Sequence, residues 1–249
     1  MKNAKNNSLA YWFPILRDMG INVPQTVILD TNKYDTNCVV ALRKMFWMKK
    51  LTKADEKSLG RFISTMEVLA KKMRCPLFLR SGQTSNKHDW LDSCYVTNYI
   101  DIAKHIQNIA EHSMMADMKG GWPINIWALR KMIETKPIFT AFNGFPVTKE
   151  FRIFIRNGEV ECVHPYWPAE AIKGHTEDKN WKTKLNKMNQ LSEKDRKELM
   201  TLSTAIAQKF EGWWSLDWLK GKDGEWYAID MALGENSYHF PKCKFNLNK

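Results

Sequence analysis

Asp217 and Asp230 lie in two tryptophan-rich apolar runs, Trp213-Trp214-Ser215-Leu216-Asp217-Trp218-Leu219 and Glu225-Trp226-Tyr227-Ala228-Ile229-Asp230. Between the runs, Lys220 to Gly224 contains Asp223-Gly224, the strongest short signal for a hairpin turn. With those two residues as the central pair of the turn, Lys222 faces Glu225, and counting outward places Asp217 opposite Asp230. Directly opposed like charges destabilise an antiparallel pair. A bound cation relieves that repulsion. Mg2+ suits the position, because it takes one or two carboxylates and leaves its other sites to water and substrate phosphates. The plainer alternative leaves one aspartate in solvent and uses the other to cap a turn.

Cations stand upstream. Arg80 ends the apolar run Leu77-Phe78-Leu79, and Ser81-Gly82-Gln83-Thr84-Ser85-Asn86-Lys87 follows. A guanidinium beside a loop of small residues suits phosphate: the loop offers N–H and hydroxyl donors, the guanidinium a planar charged fork. Lys87 adds a second cation. The loop lacks P-loop spacing, so a solvated strand end is the competing reading. Arg152 comes with Glu150 in Lys149-Glu150-Phe151-Arg152-Ile153-Phe154-Ile155, where alternation sets both charged residues opposite Phe151 and Ile153. There Arg152 could hold a phosphate or a developing negative charge; the competing reading is a surface ion pair of little worth. Separate cations together with opposed aspartates match phosphoryl transfer, which works by positioning and charge neutralisation.

The elements that must carry these groups are read in order. Residues 1–8 are polar, and Leu9 to Met19 predicts a helix stopped at Gly20. The extended segment Ile21 to Thr26 leads to a strand at Val27-Ile28-Leu29, and Cys38 to Met48 predicts a basic, aromatic helix. Thr52 and Asp55 form a capping-box start, with Asp in the Glu position. Leu59, Phe62, Ile63, Met66, Leu69 and Met73 then recur at helical spacing as far as Pro76. A strand at Leu77-Phe78-Leu79-Arg80, a polar loop over 81–90 and a returning strand at Cys94-Tyr95-Val96 follow. Asp101 is expected to cap the next helix and Gly120-Gly121 to break the chain. Ile124 to Leu129 predicts a strand that runs into Arg130-Lys131-Met132-Ile133. The run containing Arg152 turns at Asn157-Gly158 and pairs with Val160 to His164 as a second hairpin. Residues 165–190 are lysine-rich without apolar period and read as a loop or mobile insertion. Ser192 with Asp195 caps a last helix, closed at Gly212. Strands, hairpins and helices mixed in this way predict an α+β fold.

The chain has 249 residues, enough for one large or two small domains with a sizeable core. Its 44% hydrophobic and 26% charged content is that of a soluble globular protein. The net charge of +11 favours an anionic partner: nucleotide, nucleic acid or an acidic protein surface. No apolar run approaches the roughly 18 residues of a membrane span, and no apolar h-region marks a secretory signal. The cysteines Cys38, Cys75, Cys94, Cys162 and Cys243 are scattered, with no C-x-x-C pair, and the histidines show no H-x-x-x-H. That argues against a disulfide framework or structural zinc and for free thiols in a reducing cytosol. Trp12, Trp47, Trp127, Trp213 and Trp226 read as core rather than as base-stacking platforms. Trp90 and Trp167 sit in polar loops and are better placed to touch a substrate. Lys182, Lys184 and Lys187 read as solvated charge.

The order of these motifs resembles the ATP-grasp superfamily. Leu16 through Gly20-Ile21-Asn22-Val23-Pro24-Gln25-Thr26 looks like the leader of those enzymes. Leu79-Arg80 stands where the family has its first phosphate-binding basic residue, usually Lys. Leu129-Arg130-Lys131-Met132-Ile133 resembles the interlobe segment whose backbone meets adenine, and Glu150-Phe151-Arg152 is similar to the E-x-R strand after it. Leu216-Asp217 and Ile229-Asp230 match the two acidic positions that bind Mg2+. The nearest likeness is to a divergent viral and bacterial clade related to the eukaryotic assembly chaperone for translation initiation factor 2. In that clade Arg replaces the first Lys and an IDMA-x-G ending recurs, as in Ile229-Asp230-Met231-Ala232-Leu233-Gly234. Most ATP-grasp ligases carry Glu-x-Asn at the second acidic position, with the Asn on the metal. Here Ala232 stands in its place, so either a ligand is missing or Glu235 or Asn236 replaces it.

The resemblance implies an ATP-grasp fold with nucleotide held between two α+β lobes. It implies a pre-ATP-grasp segment over 1–50, a small lobe over 51–133 and a large lobe over 134–249. It implies ATP and Mg2+ as cofactors, with Arg152, Asp217 and Asp230 catalytic. Nucleotide contacts fall to Arg80, Ser81, Lys87, Arg130, Lys131, Met132, Glu150 and Arg152, and metal ligation to Asp217, Asp230, Glu235 and Asn236. The loops 81–90 and 165–190 would cover the site and exclude water. Three functions compete. The first is an ADP-forming, ATP-dependent carboxylate–amine ligase working through an acylphosphate, its acceptor unidentified, with a protein or peptide in view. The second, favoured by Ala232 and the chaperone kinship, is a non-catalytic ATP-binding assembly factor. The third, favoured only by charge and aromatics, binds or modifies nucleic acid. The expected setting is the cytoplasm, the host's for a viral source, with no membrane partner.

Overall fold

The computed structural model describes residues 7–117 and 123–246. In chain order the helices and strands begin with α1 (Leu9–Asp18), β1 (Thr26–Asp30), α2 (Thr31–Tyr34), α3 (Asn37–Phe46), α4 (Lys53–Met73), β2 (Leu77–Ser81) and β3 (Tyr95–Val96). There follow α5 (Ile102–Asp117), β4 (Ile126–Lys131), β5 (Phe139–Ala141), β6 (Phe145–Val147), β7 (Glu150–Arg156) and β8 (Glu159–Pro165). The chain closes with α6 (Ala169–Ile172), α7 (Trp181–Met188), α8 (Glu193–Ala207), β9 (Trp213–Lys220) and β10 (Trp226–Leu233). The described residues fall into two compact units, 7–10 with 25–117 and 123–132, and 11–24 with 133–246. Within the stretch up to residue 50, residues 7–10 and 25–50 group with the first unit and 11–24 with the second. β1 joins the first unit because it is hydrogen-bonded along its length to β4. The Gly120-Gly121 break lies outside the described residues.

The first unit is built on an antiparallel sheet of order β1-β4-β2-β3. Alternation sends Leu77, Leu79, Trp127 and Leu129 to one face, where they join Phe62 and Met66 of α4 and Ile106 and Ile109 of α5 in one buried cluster. The start of α4 is the expected capping box: Thr52 Oγ1 accepts from Asp55 N at 3.2 Å, and Asp55 Oδ2 accepts from Thr52 N at 2.7 Å. Lys44 Nζ donates to the same carboxylate at 2.5 Å. The helix stops at Arg74, which has φ 63°. Asp101 does not cap α5. Asn98 does the work one turn earlier, accepting from Ile100 N at 3.1 Å to start a 3-10 turn that runs into α5. An Asx side chain reaches the N–H two residues on with little strain, so the earlier residue wins.

The second unit holds an antiparallel sheet of order β10-β9-β7-β8 and the small hairpin β5-β6. Helix α8, capped by Ser192 Oγ accepting from Asp195 N at 3.1 Å, covers one face with Leu199 and Ile206, and Trp218 Nε1 donates to its Ser203 Oγ at 3.1 Å. Asp195 locks the helix start to the sheet. It takes Lys220 at 3.0 Å, Lys149 at 3.3 Å and Trp226 Nε1 at 3.3 Å. Residues 165–190 are not a bare loop. They form α6 and α7, and Trp167, Ile172, Leu185 and Met188 are buried. In α7, Trp181, Leu185 and Met188 recur at i, i+4 and i+7 and face inward, a short stripe that the surrounding lysines obscure in the sequence. Trp90 and Trp167, expected to be open to a substrate, are 4% and 2% exposed, while Trp47, expected in the core, is 55% exposed. Among the described residues no helix is long and apolar enough to cross a membrane.

Candidate functional site

The face of the second sheet opposite α8 carries one row of polar residues. Asp230 on β10 pairs with Asp217 on β9, Asp217 with Arg152 on β7, and Arg152 with His164 on β8. Directly paired residues project to the same face, so four strands deliver four chemically active side chains in line. Arg152 grips Asp217 with both arms: Nε to Oδ1 at 2.7 Å and Nη2 to Oδ2 at 2.9 Å. Its third nitrogen, Nη1, donates to the Tyr238 carbonyl at 3.3 Å, and the guanidinium lies 4.8 Å from the Tyr166 ring centre. The pair is mostly out of solvent, with side chains 16% and 6% exposed. Burial works against the charge on Arg152, but Asp217, with smaller help from Tyr166 and Asp230, outweighs it and raises the pKa further.

The facing of Asp217 and Asp230 is as counted from the sequence, but two deviations produce it. The turn does not put Lys222 opposite Glu225. Instead Gly221 N donates to Glu225 O at 2.8 Å and Trp226 pairs with Lys220, so Lys222-Asp223-Gly224 is a three-residue loop with Gly224 at φ 92°. That register alone would set Asp230 opposite Leu216. A bulge between Ala228 and Asp230 takes up Ile229 and restores the pairing of the two aspartates. Two offsets of one residue cancel.

Beside this row, Glu150 is buried, its Oε1 accepting from Trp167 Nε1 at 3.2 Å. Ala232 pairs with Ser215, whose hydroxyl meets Ser237 Oγ at 2.7 Å. Gly234 follows β10, and a Cβ there would come within 2.2 Å of the Trp213 ring. Glu235 and Asn236 are exposed in the 3-10 turn after β10. Among the described residues Glu235 does not join Asp217 and Asp230 in a group of three carboxylates. Asp217 and Asp230 still fit Mg2+ by donor chemistry. They are two hard oxygen ligands held opposite each other, and Mg2+ requires no larger protein set when phosphates complete its shell.

The first unit holds the remaining expected residues. Arg80 pairs with Ala128, and Arg130 lies two residues along β4 from that position, so both arginines share the face turned away from Leu79 and Leu129. They are 4% and 3% exposed, which removes the reading of Arg80 as a solvated strand end. Arg80 Nε donates to Ser81 O at 3.1 Å. Ser81 Oγ donates to Thr84 O at 3.1 Å and accepts from Thr84 N at 3.1 Å, which closes the loop on itself. Gly82 is required there, because a Cβ would lie 2.7 Å from Ser8 Oγ and 2.9 Å from Ile126 Cβ. Lys87 is half-buried in a 3-10 turn, Lys87–Asp89. Lys131 turns its Nζ to the Arg74 carbonyl at 3.0 Å, at the end of α4, and Met132 follows the end of β4.

The sequence argues against a structural zinc site, because its cysteines and histidines show no ligand spacing; the fold nevertheless gathers four of them. Cys162, His164, His239 and Cys243 bring four ligand atoms within 4.8 Å of one another. The available signals were Cys162-x-His164 on one strand face and His239 with Cys243 in the tail. Neither half is a familiar metal pair, and only the fold joins them.

Comparison with known proteins gives three kinds of result. A family model described as "ATP-grasp domain, R2K clade family 3" matches residues 67–245. No curated protein matches the sequence. Solved structures match the fold: Cdc123 from Schizosaccharomyces pombe has TM-score 0.56 at 12% identity, over 93% of this chain and 85% of that one. D-alanine–D-alanine ligase from Bacillus anthracis, complexed with ATP, has TM-score 0.50 at 14% identity, over 97% of this chain and 61% of that one. N5-carboxyaminoimidazole ribonucleotide synthetase from Thermotoga maritima has TM-score 0.44 at 12% identity, and the match spans only 41% of its length.

Proposed function

We propose, for a chain that belongs to family 3 of the R2K clade of ATP-grasp domains, that it binds Mg-ATP and uses it for ADP-forming activation of a carboxylate. The observation that carries this reading is the row Asp230, Asp217, Arg152 on one sheet face. In it a dication site and a fixed guanidinium stand side by side. Asp217 and Asp230 would hold Mg2+, which supplies neutralisation of phosphate charge. Within the second unit Arg152 is the group for a phosphate oxygen; within the first, Arg80 and Lys87 are the candidate phosphate cations and the backbone around Arg130, Lys131 and Met132 the candidate contact for the base. Arg152, already fixed by Asp217, steadies the charge that develops on the transferred phosphoryl group without having to reorganise. A carboxylate oxygen of the substrate attacks the γ-phosphorus, the bond to the bridging oxygen breaks, and ADP leaves. An amine then attacks the acyl carbon of the acylphosphate, inorganic phosphate departs, and the amine proton passes to solvent.

Mg-ATP at saturating concentration should raise the melting temperature of the full chain, and a panel of carboxylate and amine acceptors, peptides included, should stimulate ADP release. Asp230→Asn should lose both effects. Absence of any shift at saturating Mg-ATP sinks the nucleotide reading. A second reading, an ATP-binding assembly factor without ligase activity, is favoured by two observations: both oxygens of Asp217 are engaged by Arg152, and Ala232 offers no side-chain ligand. It predicts the thermal shift, lost in Asp230→Asn, with no acceptor-stimulated ADP.

A further inference from the structure

We propose that Cys162, His164, His239 and Cys243 form a closed, four-ligand structural zinc site that pins the C-terminal tail to β8. Cys162 and His164 stand on one strand, two residues apart and so on one face. His239 and Cys243 follow the 3-10 turn Gly234–Asn236 in the tail. One ligand atom from each of the four lies within 4.8 Å of all the others. Around a tetrahedral zinc, thiolate and imidazole ligand atoms sit roughly 3.3–3.8 Å apart, given the bond lengths. Cys162 Sγ and His239 Nε2 are already 3.2 Å apart, so only small side-chain movements separate the cluster from a metal-bound geometry.

The surroundings support a metal over a chance meeting of side chains. His239 is 5% exposed, and His164 Nε2 is buried without a hydrogen-bond partner. Phe240 stacks on the His164 ring at 5.0 Å, and Phe154 meets the His239 ring edge-on at 4.2 Å, which holds both imidazoles in place. Two thiols and two imidazoles are the donor set of small structural zinc sites, and four protein ligands leave no open position for catalysis. On binding, the Cys162 and Cys243 thiols each lose a proton to solvent, giving an uncharged Zn(S)2(N)2 centre. The site also bears on its neighbour. Tyr238 precedes His239, and its carbonyl accepts from Arg152 Nη1 at 3.3 Å. Fixing His239 therefore fixes one of the hydrogen bonds that orient Arg152.

The test uses the full chain, purified under reducing conditions without added metal and analysed by elemental mass spectrometry. About one zinc per chain is expected, retained through dialysis against a weak chelator. Cobalt should replace it and give the thiolate-to-cobalt charge-transfer bands of a tetrahedral site. His239→Ala and Cys243→Ser should each lose the metal and the bands, whereas Cys75→Ser, a thiol outside the cluster, should keep both. Because a cluster variant can lose its fold for other reasons, the metal-free wild type is titrated in parallel. Zinc should raise its melting temperature and protect two thiols from alkylation at once. Zinc well below stoichiometric in the wild type with no cobalt bands on titration, retention of metal in both cluster variants, or a Cys162–Cys243 disulfide in the reduced preparation each overturns the proposal.

Discussion

Arg152 and Asp217 are each other's counter-charge in a place with little water, so the loss of either leaves an uncompensated buried ion. Arg152→Ala should destabilise the second unit by about 3 kcal/mol in urea unfolding; a change under about 1 kcal/mol would mean the pair behaves as a surface one. Asp230 sits differently. Its Oδ1 accepts from the neighbouring Met231 N at 3.1 Å, and Arg152 is bonded to Asp217 rather than to it. Asp230→Asn keeps the size of the side chain and an oxygen for Met231 N, and should cost less stability than Arg152→Ala while abolishing the Mg-ATP-induced shift in melting temperature. If it unfolds the chain as strongly as Arg152→Ala does, the division between a positioning aspartate and a ligating one is wrong. The sequence named Arg152, Asp217 and Asp230 because charged residues inside apolar strands are conspicuous. It did not show that Arg152 and Asp217 hold each other, since their pairing depends on β7 lying beside β9, strands 65 residues apart at that point.

At the scale of elements, local chemistry made most starts and stops legible. The Thr52–Asp55 box begins α4 where capping rules put it. Thr52→Ala should cost about 1 kcal/mol, read as a lower urea midpoint for the first unit. Lys44 first, then the backbone and hydroxyl of Thr52, lower the Asp55 carboxyl to about 2, below its ordinary value of 3.8. A folded-state pKa below the unfolded one means the stabilisation is complete above about pH 4 and is lost as pH falls toward about 2. Melting temperature against pH should therefore drop across that window, and Asp55→Asn should flatten the drop. Gly234 is a different case, its side chain excluded by Trp213 packing against it. Gly234→Ala should destabilise by roughly 2 kcal/mol through overpacking and would move the start of the tail. What local rules missed has a common cause. Asn98 displaced Asp101 as a cap because two acceptors competed for one turn, and α6 and α7 escaped notice because one has a single turn and the other a stripe of only three apolar residues, Trp181, Leu185 and Met188, among lysines.

At the scale of the molecule, a net charge of +11 attracts any polyanion, so affinity for phosphate-bearing compounds is not by itself evidence for a nucleotide site. Charge attraction and a built site separate by salt. Stabilisation by heparin or an oligonucleotide should fade as ionic strength rises past about 0.15 M, where the Debye length is about 8 Å. Stabilisation by Mg-ATP should persist, amounting to about 2.7 kcal/mol at a hundredfold excess over Kd. Equal loss of both would assign the nucleotide effect to general electrostatics.

The sequence by itself determined the α+β class, most helix starts, both hairpins of the second sheet and the motif order that marks an ATP-grasp domain. These are local matters, set by caps, turns and side-chain period within a few residues. The tertiary structure decided which strands lie side by side, and with that the row Asp230, Asp217, Arg152, His164. It decided that a three-residue loop and a bulge cancel to keep two aspartates opposed. It alone brought Cys162 and His164 to His239 and Cys243. Contacts between residues far apart in the chain follow from how whole sheets pair and pack, and no spacing within one segment encodes them.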